Sequence, residues 1–385
     1  MWRWATLLVG AIATTANSNV IRIPSQQPTI QAGMEVAGVC DTLLLAPGTY
    51  TGAANHGLYP YNCLTIMSED GAEATIVELE NDFFATIFVE DGWGDAEIRV
   101  EGLTLRGGRP AIQIGYCGAG APQIRHCIFE QNDLGVGAFG EPSKSVVDSC
   151  VFRGNRTGLM VSTGGVTHTV RGNLFVQNGT ALDLASAFNT LVSGNVMAGN
   201  TLGIISNLPA TLIRNVIYAN TNGVSVSSQA DFQCNDVFGN DTDYKDCTPR
   251  TGELGNISVD PLFCDPTLAS GTGVHPQSPL LPTANECGMN IGAVSIACTC
   301  CLGRVGDANG SGEDEPTIGD VSAMISANFI IGNCENTIPC LFEADINQSG
   351  GMNPNCDDIS IGDISTLIDY LFITGKDRMI LPACL

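Results

Sequence analysis

Positive charge is scarce in this chain. Its 385 residues carry 16 Lys and Arg against 40 Asp and Glu, a formal net charge of −24. Such a surface repels polyanions, which argues against nucleic acid or an anionic membrane as partner. Long apolar runs are missing too. The nearest candidate, the N-terminal "MWRWATLLVGAIATTANS", has Arg3, an apolar run from Leu7 to Ala13, and small residues at Thr14 and Ala16. It is too short for a membrane anchor and reads as a secretory signal over residues 1–16. No other stretch could span a bilayer. Histidine is rare: His56, His126, His168 and His275 are scattered, with no nucleophile at a recognisable offset. Solvent-facing or hydrogen-bonded roles are expected for them. Cysteine, by contrast, is plentiful. Sixteen copies fit an exported, oxidised, extracellular protein.

What the chain does have is a repeat. Cys127 pairs with Asn132, Cys150 with Asn155, Asn173 with Asn178, Asn195 with Asn200, Asn215 with Asn220, and Asn235 with Asn240, always five residues apart. The copies follow one another at steps of 23, 23, 22, 20 and 20 residues, and a weaker copy places Leu103 and Gly108 at the same offset upstream. Three residues before the first marker the side chain is always apolar, at Val100, Ile124, Val147, Val170, Val192, Leu212 and Phe232. Two residues after it the same holds, at Leu105, Phe129, Phe152, Phe175, Met197, Ile217 and Val237. Short runs rich in β-branched residues and glycine, bounded by turn residues, predict strands. One such unit cannot bury its own apolar side, but stacked copies can. Each repeat is therefore expected to be one coil of a parallel β-helix, with Phe129, Phe152 and Phe175 stacked inside. The asparagines are expected in turns, adopting left-handed backbone angles and hydrogen-bonding to one another up the stack. Cys127 and Cys150 share a column with them, so either buried stacked thiols or a disulfide is compatible with the pattern.

One outward column carries Glu101, Arg125, Asp148 and Arg171 on four successive coils. Arg125, Asp148 and Arg171 are the candidate catalytic residues, because an Arg base beside acids is what a polysaccharide lyase needs. The preferred reading is structural, a cross-strand ladder of opposite charges on a solvated face.

Near the N-terminus, Ile30, Met34 and Ala37 follow a helical period, and a helix there would cover the open end of the stack. The strand "TLLLAPG" comes next. This opening, with its "TIQ" and "DTLLLAPGTY" segments, resembles the pectin lyase-like right-handed β-helix proteins over roughly residues 19–297. The resemblance implies an all-β right-handed parallel β-helix. It implies no single activity, since the fold hosts lyases, hydrolases, esterases, epimerases and adhesins. The acid pairs and Gly-His-Gly run of polygalacturonases are absent. "CTCCLGRVG" marks a change of composition, with a linker over 298–306. The cysteines there fit oxidation better than zinc.

The segment 307–385 is a duplication. "GDANGSGEDEPTIGDVSAMISANFIIG" is echoed by "ADINQSGGMNPNCDDISIGDISTLIDYLFITG". Both copies begin D-x-N-x-S-G, so hard oxygens at alternate positions surround one point, as Ca²⁺ prefers. Both continue into an amphipathic run, Val321, Met324, Ile325, Asn328 and Phe329 in the first and Ile364, Leu367, Ile368, Leu371 and Phe372 in the second. The pair resembles a type I dockerin, a small all-α calcium-binding domain. The resemblance implies Ca²⁺ ligands at Asp307, Asn309, Ser311 and Asp320, and at Asp345, Asn347, Ser349 and Asp363. It also implies a cohesin-like protein partner. The first and last acids lie 13 and 18 residues apart, against the 11 of a compact calcium loop. The pairs Ile318–Gly319 and Ile361–Gly362 stand where the family carries polar partner-reading residues, which weighs against cohesin binding. The expected function is a polysaccharide-associated binding or surface adhesion protein. The alternative is a polysaccharide-degrading lyase or glycosidase working near Arg125 and Arg171.

Overall fold

The computed structural model describes residues 18–384, except 62, 80–84, 90–97, 116–120, 140–143, 163–166, 265–267, 269–270, 298–300, 302, 312–314, 333, 335–336 and 352–353. The expected signal segment 1–16 lies outside them, and so do residues 298–300 and 302 of the expected linker 298–306. The chain divides into two compact units, residues 1–260 with 285–293, and residues 261–284 with 294–385.

The first unit is a parallel β-helix. Three parallel sheets of ten, nine and eight strands run along it, each adding its strands in chain order. The first sheet extends from Val20–Ile23 to Asp231–Gln233, the second from Gly48–Tyr50 to Asp236–Phe238, and the third from Ile87–Val89 to Thr242–Tyr244. The register follows the repeat: Val100, Ile124, Val147 and Val170 align on successive strands, as do Leu105, Phe129, Phe152 and Phe175. All of these are buried. The rings of Phe129 and Phe152 stack at 4.7 Å and those of Phe152 and Phe175 at 4.6 Å. That spacing is the strand separation itself, so the sheet dictates the stack. The repeat also needs glycine beside the rings. A Cβ on Gly158 would meet the Ala181 carbonyl oxygen at 2.6 Å and the Phe175 ring at 2.9 Å.

The asparagines form two buried ladders, one at each of two corners. Asn178 shows the unit: its backbone N–H and its Nδ2 both donate to Asn200 Oδ1, at 2.8 and 3.0 Å, and Nδ2 also donates to the Phe152 carbonyl at 2.9 Å. Asn195 repeats this toward Asn215 and Val170 at the other corner. The left-handed angle, however, falls one residue earlier than expected. It is taken by His126, Gln131, Ser149, Gln177, Arg214 and Ala219, and by Gly154, Gly172, Gly194 and Gly199. The residue before each ladder position turns the chain, which frees the asparagine amide to aim inward at backbone groups that would otherwise be buried unpaired. Cys127 and Cys150 replace asparagine in this column as free, buried thiols, donating weakly to the carbonyls of Arg125 and Asp148 at 3.2 and 3.3 Å.

Helix α1 (Ile30–Val36) is capped by Thr29, whose hydroxyl accepts from Ala32 N at 3.2 Å. Its Ile30 and Met34 join the solenoid core. The cap expected from the helical period is thus present.

In the second unit, α2 (Ile318–Ile325) and α4 (Ile361–Ile368) flank the short α3 (Leu341–Ala344). Both long helices begin with a capping box, Thr317 with Asp320 and Ser360 with Asp363. Val321, Met324, Ile364, Leu367 and Tyr370 form the core, and disulfides Cys301–Cys384 and Cys334–Cys356 tie it together. The amphipathic stripes end sooner than expected. Each helix widens into a π turn, Ser326–Ile331 and Asp369–Ile373, and the change of pitch turns Phe329 and Phe372 out to solvent, each 62% exposed.

Candidate functional site

The two aspartate loops are built alike. In the first, Ser311 N donates to Asp307 Oδ1 and Asn309 Oδ1, both at 2.8 Å, and Asn309 N donates to Asp320 Oδ1 at 3.0 Å. In the second, Ser349 N donates to Asp345 Oδ1 and Asn347 Oδ1, both at 2.9 Å, and Asn347 N donates to Asp363 Oδ1 at 2.9 Å. The sequence-expected residues are therefore brought together, loop by loop. Asp320 and Asp363 each use the second oxygen for the helix cap, accepting from Thr317 N at 2.7 Å and from Ser360 N at 2.8 Å. A cap and a metal ligand make compatible demands on the same carboxylate, since both favour negative charge at a helix start. Asp320, Asp345 and Asp363 are at most 2% exposed. None of the three has an Lys, Arg or His within ion-pair distance among the described residues. The enlarged second loop is held by Asp358, which accepts from Asn355 N at 2.9 Å.

On the solenoid, Arg125 is in register with Glu101 on one side and Asp148 on the other. The charge ladder nevertheless skips it. Asp148 pairs with Arg171 at 2.8 Å, while Glu101 lies 3.7 Å from Arg99 and 3.6 Å from His126. Arg125 makes no ion pair among the described residues, and its Nε is buried without a partner.

A tighter charge row, not singled out from sequence, lies on the second sheet. Glu78, Arg106, Glu130 and Arg153 occupy consecutive strands. Glu130 is nearly buried and accepts from Arg106 Nε at 2.8 Å and Arg153 Nε at 2.7 Å. Burial pulls its pKa upward, but the two guanidinium bonds outweigh this and hold it below the ordinary carboxylate range. The alternation of Glu and Arg at repeat spacing was the available signal. These paired groups serve the wall rather than proton transfer.

Of the histidines, His126 is exposed and His168 is buried, with Nδ1 at 2.7 Å from Ser145 Oγ. Burial pulls the His168 pKa down to about 4, so the ring is neutral at physiological pH.

Among known proteins, residues 81–250 match the family described as "Periplasmic copper-binding protein (NosD)". No curated protein matches the chain. Among solved structures, the A-module of Azotobacter vinelandii mannuronan C-5 epimerase AlgE6 is similar at 20% identity and a TM-score of 0.41, over 55% of this chain and 71% of that one. The A-module of AlgE4 from the same organism gives 20% identity and 0.40, over 56% of this chain and 74% of that one.

Proposed function

We propose that the chain is a secreted, polysaccharide-associated binding or surface protein. Its β-helix is a non-catalytic scaffold, and its duplicated C-terminal loops are a calcium-stabilised, dockerin-like module. The observation that carries the calcium reading is the set of buried carboxylates without a counter-ion, Asp320, Asp345 and Asp363. An unpaired buried charge is costly, and a bound divalent cation removes the cost. The donor set fits, since carboxylate, amide and hydroxyl oxygens are what Ca²⁺ takes. When bound, the ion supplies positive charge that closes each loop; Asp307 and Asp345 open the ligand sets, and Asp320 and Asp363 end them. An exported location is supported by disulfides Cys40–Cys63, Cys234–Cys287, Cys301–Cys384 and Cys334–Cys356. No helix among the described residues is long and apolar enough to cross a membrane.

Copper, as in the matched family's description, does not fit the described residues of segment 81–250. Cys127 and Cys150 are buried and free, but their thiols donate to carbonyls. Burial pushes the Cys150 pKa up, away from the thiolate that binds metal. A second reading, a polysaccharide lyase at Arg125, Asp148 and Arg171, is favoured by the unpartnered Arg125 Nε.

The test of the calcium reading is calorimetry of the full chain with saturating Ca²⁺ or with chelator. Calcium at a hundredfold excess over its dissociation constant is expected to stabilise the C-terminal transition by about 2.7 kcal/mol. Asp320→Ala and Asp363→Ala lower stability even in chelator, because the cap is lost. They are also expected to abolish the calcium-dependent increment. An increment that is zero in the parent, or that survives both substitutions, removes the calcium reading.

A further inference from the structure

The third sheet ends in a cleft that the repeats do not account for. Ile205 and Ser225 sit side by side on the outer face of strands Leu202–Ser206 and Asn222–Val226. The last strand of that sheet, Thr242–Tyr244, gives way to a bend at 245–247 and irregular chain over 248–250. The space left beside Ser225 is a cleft of about 610 Å³, lined also by Asn207, Ser228, Asp246, Cys247 and Thr248. This is within the ~300–1,000 Å³ of small-molecule sites.

One wall is held rigidly. Arg250 Nη1 donates to the Ala230 carbonyl at 2.9 Å, and Nη2 donates to the Ser228 and Ser227 carbonyls at 2.9 and 3.3 Å. Ser227 N is tied in turn to the Ser206 carbonyl at 2.7 Å. The side chains of Asn207, Ser225, Ser228 and Thr248 have no hydrogen bond within the chain among the described residues. One amide and three hydroxyls thus face the cleft with their donors and acceptors unspent, beside an aliphatic patch at Ile205. Hydroxyls and amides around a small apolar patch complement a pyranose ring, which offers hydroxyls at its rim and C–H groups on its face. Charge disfavours an acidic sugar. Asp246 and Arg250 oppose each other at the cleft, Arg250 is spent on carbonyls, and the chain as a whole carries −24.

We propose that this cleft is a subsite for a neutral sugar unit of a polysaccharide, an inference that rests on the polysaccharide-associated reading above. Cys247 provides the readout. It is a free, half-buried thiol lining the cleft, whereas Cys127 and Cys150 are fully buried. The experiment incubates the full chain with cellohexaose, mannohexaose, xylohexaose or hexagalacturonate and follows alkylation at Cys247 by peptide mass spectrometry, with calorimetric titration in parallel. At least one neutral hexasaccharide is expected to slow alkylation. Its affinity is expected to fall by about tenfold or more, the loss of one or two hydrogen bonds, in Ser225→Trp, which fills the cleft, and in Thr248→Ala with Asn207→Ala, which only removes donors. Binding that leaves Cys247 unprotected and is equal in both variants overturns the subsite and leaves the polysaccharide reading standing. Protection by hexagalacturonate alone overturns the neutral class. Failure to bind any of these, or insoluble cellulose, mannan, xylan and pectin, overturns both.

Discussion

Asp236 is the most sharply testable residue in the solenoid. It opens strand Asp236–Phe238, where the two preceding coils place Val196 and Val216 in register. All three side chains are fully buried. Oδ1 accepts from Val259 N at 3.1 Å, but Oδ2 is buried without a partner. Desolvation, reinforced by Asp260 and Asp243, pushes the pKa up to about 7 against the lowering effect of the Val259 bond. The sign follows directly. Between about pH 4 and pH 7 the unfolded chain releases this proton and the folded chain keeps it, so stability falls as pH rises. Each unit is worth about 1.4 kcal/mol, and a shift of roughly 3 units amounts to about 4 kcal/mol lost by pH 8. Asp236→Val restores the valine column. It forfeits the Val259 amide's partner, at about 1–3 kcal/mol, and gains a similar amount from burial, about 1.5–3 kcal/mol. The variant is therefore expected to match the parent near pH 4 and to exceed it by about 4 kcal/mol at pH 8. Urea denaturation of the full chain, followed by far-ultraviolet circular dichroism at five pH values, measures this. Only the difference between the two proteins matters, because His168 and the other acids titrate in both. A difference that stays constant within about 1 kcal/mol across the range refutes a buried carboxyl with a raised pKa.

Three further outcomes follow from the same geometry. Phe152→Ala, which removes the middle ring of the stack, is expected to cost about 3–5 kcal/mol in the same urea assay, and a cost below ~1 kcal/mol contradicts a packed interior. Asn195→Ala strips the partner from Asn173 N and Nδ2 and from the Val170 carbonyl. At roughly 1–3 kcal/mol for each orphaned group it should be at least as damaging, and hydrogen exchange should rise first at Asn173; unchanged protection there contradicts the ladder. Arg125→Gln is expected to alter stability by no more than ~1 kcal/mol, since the half-buried Arg125 has no ion pair among the described residues to lose, with no turnover of uronic-acid polymers in parent or variant. New ultraviolet absorbance from unsaturated products in the parent, lost in the variant, would instead establish the lyase reading.

The period, the apolar columns and the five-residue marker were all legible in the chain, because a solenoid makes each residue contact its own equivalent one coil away. A local pattern then specifies a long-range contact, and Phe129, Phe152 and Phe175 could be stacked on paper. The paired aspartate loops were legible for a similar reason: D-x-N-x-S-G places its oxygens through nearby backbone turns. What repetition does not encode had to come from the folded molecule. The left-handed residue lies one position before each asparagine, because corner geometry and the direction of the amide are settled together. Arg125 is passed over by its register neighbours, because Asp148 turns to Arg171 while Glu101 turns to Arg99 and His126. Asp236 reads as one more strand residue until the segment around Val259 and Asp260 covers it. The cleft beside Ser225 exists only because the repeat stops there, and its walls come from segments some forty residues apart that no periodicity relates.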